Sequence, residues 1–168
     1  MEMLEHLKKR RSIRKFLPKP VEDEKIKKLI EAATFSPSSM DLQPLKIFIV
    51  KNREIIEKLS KTQKYSDFLK NAPLVIVVTV DETLSSKHFV EDASIAAFAI
   101  LLEASGLGLG ACWNAVYLPE NQKREEYVRN ILKIPKNYRV ICNLGIGYPD
   151  EKPEEKTVKK FEDVTKII

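Results

Sequence analysis

The apolar positions of the chain fall into groups with helical or strand-like spacing, and these groups predict the elements. Met3, Leu4 and Leu7 share one face of a short first helix over Glu2–Arg10. Ile26, Leu29, Ile30 and Ala33 form the apolar stripe of a stronger helix over Val21–Phe35. Glu22-Asp23-Glu24 suits the positive end of that helix dipole. Ser36-Pro37 stops it, because a residue before proline is pushed out of the helical region. Leu45–Val50 predicts a strand and Arg53–Ser60 a helix. Ala72-Pro73 then breaks the chain before Leu74-Val75-Ile76-Val77-Val78-Thr79-Val80. That unbroken, largely β-branched run predicts a central strand buried on both faces.

Asp92–Ser105 reads as a helix apolar nearly all round, which must be covered by core or by a second subunit. Gly106 is placed to end it as the C′ residue. A strand over Ala111–Val116, a helix over Glu120–Leu132 and a strand over Arg139–Gly147 follow. The tail from Tyr148 is charged and broken by proline. Helices and strands do not alternate strictly, so the class reads as α+β, or as a mixed sheet with helices on both sides. No repeat or linker divides the chain, and residues 1–168 read as one domain.

Composition narrows the possibilities. At 168 residues, 43% of them hydrophobic, the chain can bury a sizeable core. No apolar run approaches the roughly 18–20 residues of a bilayer span. The start, MEMLEHLKKRRS, has charges where a signal peptide has its apolar stretch, so a soluble cytoplasmic protein without membrane partners is expected. Cys112 and Cys142 are too far apart for a CxxC motif and read as buried reduced thiols. His6 and His88 are the only histidines, which leaves no basis for a His/Cys metal site. The net charge of +5 does not by itself imply nucleic acid. It is concentrated, however. Lys8 to Lys19 holds seven cations in twelve residues and no acid.

Three constellations could carry chemistry. Arg10-Arg11-Ser12-Ile13-Arg14 could grip a phosphate bidentately and spare one cation for another acceptor. The same cluster also reads as a solvated helix end, or as a patch for nucleic acid or an anionic membrane. Ser36-Pro37-Ser38-Ser39-Met40-Asp41-Leu42-Gln43-Pro44 offers hydroxyl, amide and carboxyl groups between a helix and a strand, or is an ordinary polar turn. Gly106-Leu107-Gly108-Leu109-Gly110 follows a helix and precedes a strand, the reverse of a dinucleotide-binding fingerprint. It reads instead as a turn that lets backbone approach something flat or tightly packed, with Trp113 and Asn114 beside it. There is no P-loop, HExxH or GxSxG motif, so the chemistry should belong to a cofactor.

Taken together, RRSIRKF at 10–16, SPSSMDLQP at 36–44, GLGLGACW after the apolar helix and the closing LGIGYP strand resemble the nitroreductase family in its short form. The resemblance runs from about His6 to Val164. It implies a mainly antiparallel central sheet flanked by helices, and an intertwined homodimer in which Phe161–Ile168 crosses to the partner. It further implies FMN as cofactor, NADH or NADPH as donor, and ping-pong hydride transfer to a small flat acceptor such as a nitroaromatic or quinone. No side chain is implied as an essential acid or base.

Residue by residue, Arg10, Arg11 and Ser12 match the positions that hold the FMN phosphate. Arg14 matches the cation at the pyrimidine edge, where its charge stabilises anionic reduced flavin. Pro37, Ser38 and Ser39 match the loop that reaches flavin from the partner subunit. Asp41 stands where asparagine is usual, and it can accept but not donate while ionised. Ala111, Cys112, Trp113 and Asn114 match the stretch beside the flavin ring. Lys156 and Lys159 fall where a basic residue completes the phosphate site, though the tail motif differs. Asp81–Val90 is short where longer relatives insert pocket-forming helices.

Overall fold

In the computed structural model, which describes residues 3–168, the chain runs through six helices and four strands. In order these are α1 (Met3–Lys9), α2 (Asp23–Thr34), β1 (Leu45–Val50), α3 (Arg53–Leu59), β2 (Leu74–Asp81), α4 (Phe89–Gly106), β3 (Gly110–Ala115), α5 (Lys123–Leu132), β4 (Tyr138–Gly147) and α6 (Phe161–Val164). Two short 3-10 helices, Ser39–Asp41 and Asp67–Asn71, were not foreseen from the periodicity. Glu2, expected to open the first helix, lies outside the described residues.

The four strands form one sheet in the order β1-β2-β4-β3, and every neighbouring pair is antiparallel. The expected mixed character shrinks to a single parallel bridge, Ser12 with Ala111. The segment carrying Ser12 crosses the end of the sheet, touching β3 at Ser12 and the chain after β4 at Phe16, so it builds no ladder. β2 is central, and Leu74 through Val80 are buried without interruption. Its alternate residues serve opposite layers. Leu74, Ile76, Val78 and Val80 pack with α2 and α4, whereas Val75 and Val77 pack with Ile56, Leu59, Leu69 and Val128.

α4 begins at Phe89, earlier than the expected Asp92. Asp92 therefore sits inside the first turn, 4% exposed, and its carboxylate accepts from the Ser39 N–H (2.7 Å) and the Ser85 hydroxyl (2.6 Å). Gly106 is the last helical residue rather than the C′ position, and Gly108 takes the left-handed conformation (φ +73°). Ala93, Ala96, Ala97 and Ala104 bury the inner side of α4, while Ile95 and Phe98 remain 43% and 44% exposed. α5 begins at Lys123, three residues after the expected Glu120.

A buried carboxylate fixes α5 to the sheet. Glu125, 1% exposed, accepts from both Arg139 (2.9 Å to each oxygen), Arg129 (2.9 Å) and the Val140 N–H (3.0 Å). Arg139 also reaches Glu82 and lies over the rings of Phe89 and Tyr117. Those partners hold the Arg139 guanidinium well above its ordinary range, Glu125 foremost. Removing one member of such a network strands the other charges. Glu125→Ala should cost about 3–5 kcal/mol in urea unfolding.

The glycine turn acts through packing. A Cβ on Gly110 would lie 2.7 Å from Ile13 Cβ, whereas one on Gly106 would meet nothing closer than 3.5 Å. Gly110→Ala should therefore lose about 1–3 kcal/mol by overpacking. Gly106→Ala, at a helical position, should be neutral or gain up to about 1 kcal/mol. Paired denaturant titrations check both.

Candidate functional site

The basic motif and the glycine-led strand, far apart in sequence, are laid against each other. Ser12 bridges Ala111, and the Ile13 N–H donates to the Ala111 carbonyl at 3.1 Å. This contact is possible because Gly110 has no side chain. Behind the strap stands Glu151. Its carboxylate accepts from the backbone N–H of Arg14 and from that of Lys15 (3.0 Å). These two bonds, Arg14's foremost, hold the Glu151 carboxyl below its ordinary range. In the basic run 8–19 the apolar Ile13 and Phe16 are buried, while Lys8, Lys9, Arg14, Lys15 and Lys19 stay exposed. Lys8 pairs with Glu5 and Lys19 with Glu22.

Two cavities flank the strap. One, of about 230 Å³, is lined by Arg10, Arg11, Gly108 to Ala111 and Pro149 among others. The second, of about 410 Å³, is lined by Arg14, Gln63, Tyr65, Phe68, Cys112, Trp113 and Asn114 with their neighbours. Arg10 and Arg14 thus bring cations to two adjoining hollows, one on each side of Ser12-Ile13. Arg11 is turned inward. Its guanidinium donates to the backbone carbonyls of Lys8, Arg10 (2.9 Å) and Glu154 (3.2 Å). It braces the strap and draws the start of the tail alongside. Lys156 and Lys159, further along, are exposed and line neither cavity.

Asn114 is paired with Asn143 inside the sheet. It is 2% exposed, and its Oδ1 accepts from the Asn143 amide at 3.3 Å. The Asn114 Nδ2 and the Asn143 Oδ1 are both buried without a partner, so the two amides form an inner polar pair held by one bond. Cys112, on the same strand as Asn114, is a free buried thiol, as is Cys142. Burial pushes the Cys112 thiol up, against the opposing pull of Arg14 and the Ser12 hydroxyl, so it is protonated at neutral pH.

Pro37, Ser38, Ser39 and Asp41 are elsewhere. The Ser39 N–H is held by Asp92 at the start of α4, while the strap packs at the other end of that helix, where His6 meets Gly106. A helix running from Phe89 to Gly106 separates its ends by about 27 Å. Within one chain the two motifs thus lie toward opposite ends of α4. The loop is nonetheless built with care. Met40, Asp41 and Gln43 all adopt left-handed conformations (φ 51°, 55° and 48°). Such strain costs about 1–3 kcal/mol per residue and persists where the surroundings impose it. Here Ser38 Oγ accepts from the Gln43 N–H (2.9 Å) and Asp41 accepts from the Gln43 amide (3.1 Å).

Gln63, Tyr65 and Phe68 are wall residues that sequence reasoning missed. They belong to a stretch without helical or strand periodicity, tied down by the Gln63 side chain donating to the Ala115 carbonyl (2.9 Å). Glu151 was missed as well, since nothing local marks an acid whose partners are 136 residues away.

Because the folded Glu151 carboxyl titrates below its ordinary value, its contribution to stability is fully present above about pH 4.5. That contribution disappears as pH falls through the depressed folded value. Wild type should exceed Glu151→Gln in urea midpoint at pH 6, and the gap should close progressively below pH 4.5.

Comparison with known proteins bears on this site. The family model described as the nitroreductase family matches residues 7–64 and 60–148. A relative from Methanothermobacter thermautotrophicus, provisionally assigned as an NADH dehydrogenase/NAD(P)H nitroreductase, is 40% identical over 155 residues, covering 91% of this chain and 80% of its own. A crystal structure from Parabacteroides distasonis with the same provisional assignment superposes with a TM-score of 0.92 at 35% identity, covering 98% of this chain and 96% of the other. An FMN-dependent nitroreductase from Clostridium difficile R20291 superposes with a TM-score of 0.85 at 39% identity, covering 96% and 94%.

Proposed function

The chain belongs to the nitroreductase family, and from that premise we propose that it is an FMN-dependent NAD(P)H oxidoreductase. One observation carries the reading to particular residues. The strap 10–16 sets Arg10 and Arg14 into adjoining cavities along the edge of β3, one walled by Gly108 to Ala111 and the other by Cys112 to Ala115. These groups fit a flat heteroaromatic ring attached to a phosphate. On this reading, the whole chain serves as one FMN-binding domain.

Bound FMN would accept a hydride from NADH or NADPH and pass electrons to a small flat acceptor, such as a quinone or nitroaromatic, in ping-pong fashion. The protein's own share is positional and electrostatic. Arg10 and the Ser12 hydroxyl would meet the phosphate, with Arg11 bracing the strap from behind. Arg14 places a cation in the ring cavity, and Glu151 fixes the backbone on which Arg14 stands. Ala111 to Asn114 supply the wall. Gln63 and Tyr65 would close one side of the ring cavity.

We further propose a homodimer with the site shared between subunits. The distance along α4 excludes Pro37, Ser38, Ser39 and Asp41 from their own chain's strap, so these residues would serve the partner's site. Exposed apolar side chains mark the surface: Phe35 and Met40 beside that loop are 83% and 89% exposed, and Ile95 and Phe98 lie on α4. The tail Phe161–Ile168, also exposed, would cross to the partner.

Purified protein should be yellow or should quench added FMN fluorescence with micromolar or tighter affinity, at the mass of a dimer by light scattering. Each charge-assisted bond to the ligand is worth about 1.5–3 kcal/mol. Arg10→Ala with Arg14→Ala should therefore weaken FMN by at least about a hundredfold. Rapid mixing with NADH and with NADPH should bleach the flavin band near about 450 nm. Unchanged FMN affinity in the double variant would remove the strap from the site.

A further inference from the structure

Lys25 stands in the first turn of α2, where the helix dipole disfavours positive charge. It lines neither strap cavity, nor the larger cleft of about 800 Å³ between Pro18, Pro20 and Pro73. Its half-buried ammonium donates instead across the fold, to the Leu107 carbonyl (2.9 Å) and the Tyr148 hydroxyl (3.0 Å). Leu107 caps the C-terminal end of α4. The last carbonyls of a helix have no partner within it, and a cation is favoured there.

Tyr148 is gripped from several sides. Its hydroxyl accepts from Lys25 and donates to Glu22 at 2.6 Å. The Lys19 ammonium lies 3.9 Å from the centre of its ring. The phenol foremost holds the Glu22 carboxyl down to about 2, so that acceptor is ionised at neutral pH.

These contacts converge on the walls of the 230 Å³ cavity without entering it. Gly108 and Pro149 both line that cavity, and they directly follow Leu107 and Tyr148 in the chain. The β3–β4 ladder between the two walls ends at Gly110 paired with Gly147. Beyond that pair Tyr148 turns to the strap, its carbonyl accepting from the Leu17 N–H at 2.9 Å. Gly108, at φ +73°, stands where a Cβ would meet nothing within 4 Å, so packing does not fix the turn there. Lys25 spans the gap that the ladder leaves.

We propose that Lys25 is a positioning residue: by gripping both walls from behind, it sets the width of the smaller cavity and makes it select a flavin that carries a phosphate. The role rests on the reading that Arg10 and Ser12 meet the FMN phosphate in that cavity. Binding groups work when held to within roughly 0.5 Å, and one ammonium shared by two acceptors supplies such a restraint. Riboflavin has the same ring without the phosphate, so its binding is indifferent to the width of this cavity.

Fluorescence titration of the full-length protein with FMN and with riboflavin separates this role from general support of the fold. Wild type should prefer FMN by about tenfold or more, the share of one charge-assisted bond. Lys25→Met should weaken FMN by about tenfold and leave riboflavin within about twofold. Tyr148→Phe keeps every charge, so its loss reports position rather than field. It should weaken FMN severalfold, again without moving riboflavin. Equal losses for both flavins, or no loss of FMN in either variant, overturn the proposal. A preference for FMN that vanishes in Arg10→Ala but survives in Lys25→Met and Tyr148→Phe overturns this inference alone. Indifference of wild type and Arg10→Ala alike removes the phosphate from the cavity, and the proposal with it.

Discussion

The contact between Ile13 and Gly110 is the constraint on which the functional half of the molecule depends. A side chain at Gly110 would stand 2.7 Å from Ile13, and the strap would have to lift off the sheet. Because it lies flat, Ser12 can bridge Ala111, Arg10 and Arg14 can fall on opposite sides of it, and Glu151 can cap its backbone. A similar close approach recurs at Gly147, where an added Cβ would meet Pro73 at 2.5 Å and Phe16 at 3.0 Å. The two glycines let one segment of seven residues partition the sheet end into three hollows.

The rest of the protein makes that partition rigid. β2 is buried on both faces, so the sheet cannot shift against either helical layer without exposing core. Glu125 fastens α5 to β4 through a network that also reaches Phe89 at the start of α4. Asp92, in the same first turn, fastens the 36–44 loop to that helix end. α4 is therefore a beam with a braced loop at one end and the strap at the other. A chain built this way holds the loop and the strap at opposite ends of one helix.

Much of this was legible in the sequence. The β-branched run 74–80 could be little else than a central strand, because such residues are costly to expose and poor in helices. The alanine-rich helix and the strands at 45–50 and 139–147 followed from periodicity, and the two cysteines read correctly as buried thiols. The cation cluster at 10–14 and the strand at 111–114 could each be singled out, since charge density and glycine spacing are local properties.

Tertiary structure decided what local patterns cannot hold. Arg11 borders the smaller cavity, yet its guanidinium donates to three carbonyls, a choice made by the path of the chain at Lys8 and Glu154. Asp92 became a buried anchor because Ser39 and Ser85 happen to converge on it. Gln63 and Tyr65 form a wall although nothing in their stretch is periodic, and the cleft between Pro18, Pro20 and Pro73 draws on five separate stretches of chain. The sequence by itself determined which segments are helix or strand and where positive charge is dense, because neighbouring residues set both. Which cations meet a hollow, which are spent on carbonyls, and how far apart the two motifs lie depend on contacts between residues distant in sequence, from 53 positions for Ser39 and Asp92 to 143 for Arg11 and Glu154. Those contacts exist only once the sheet has closed.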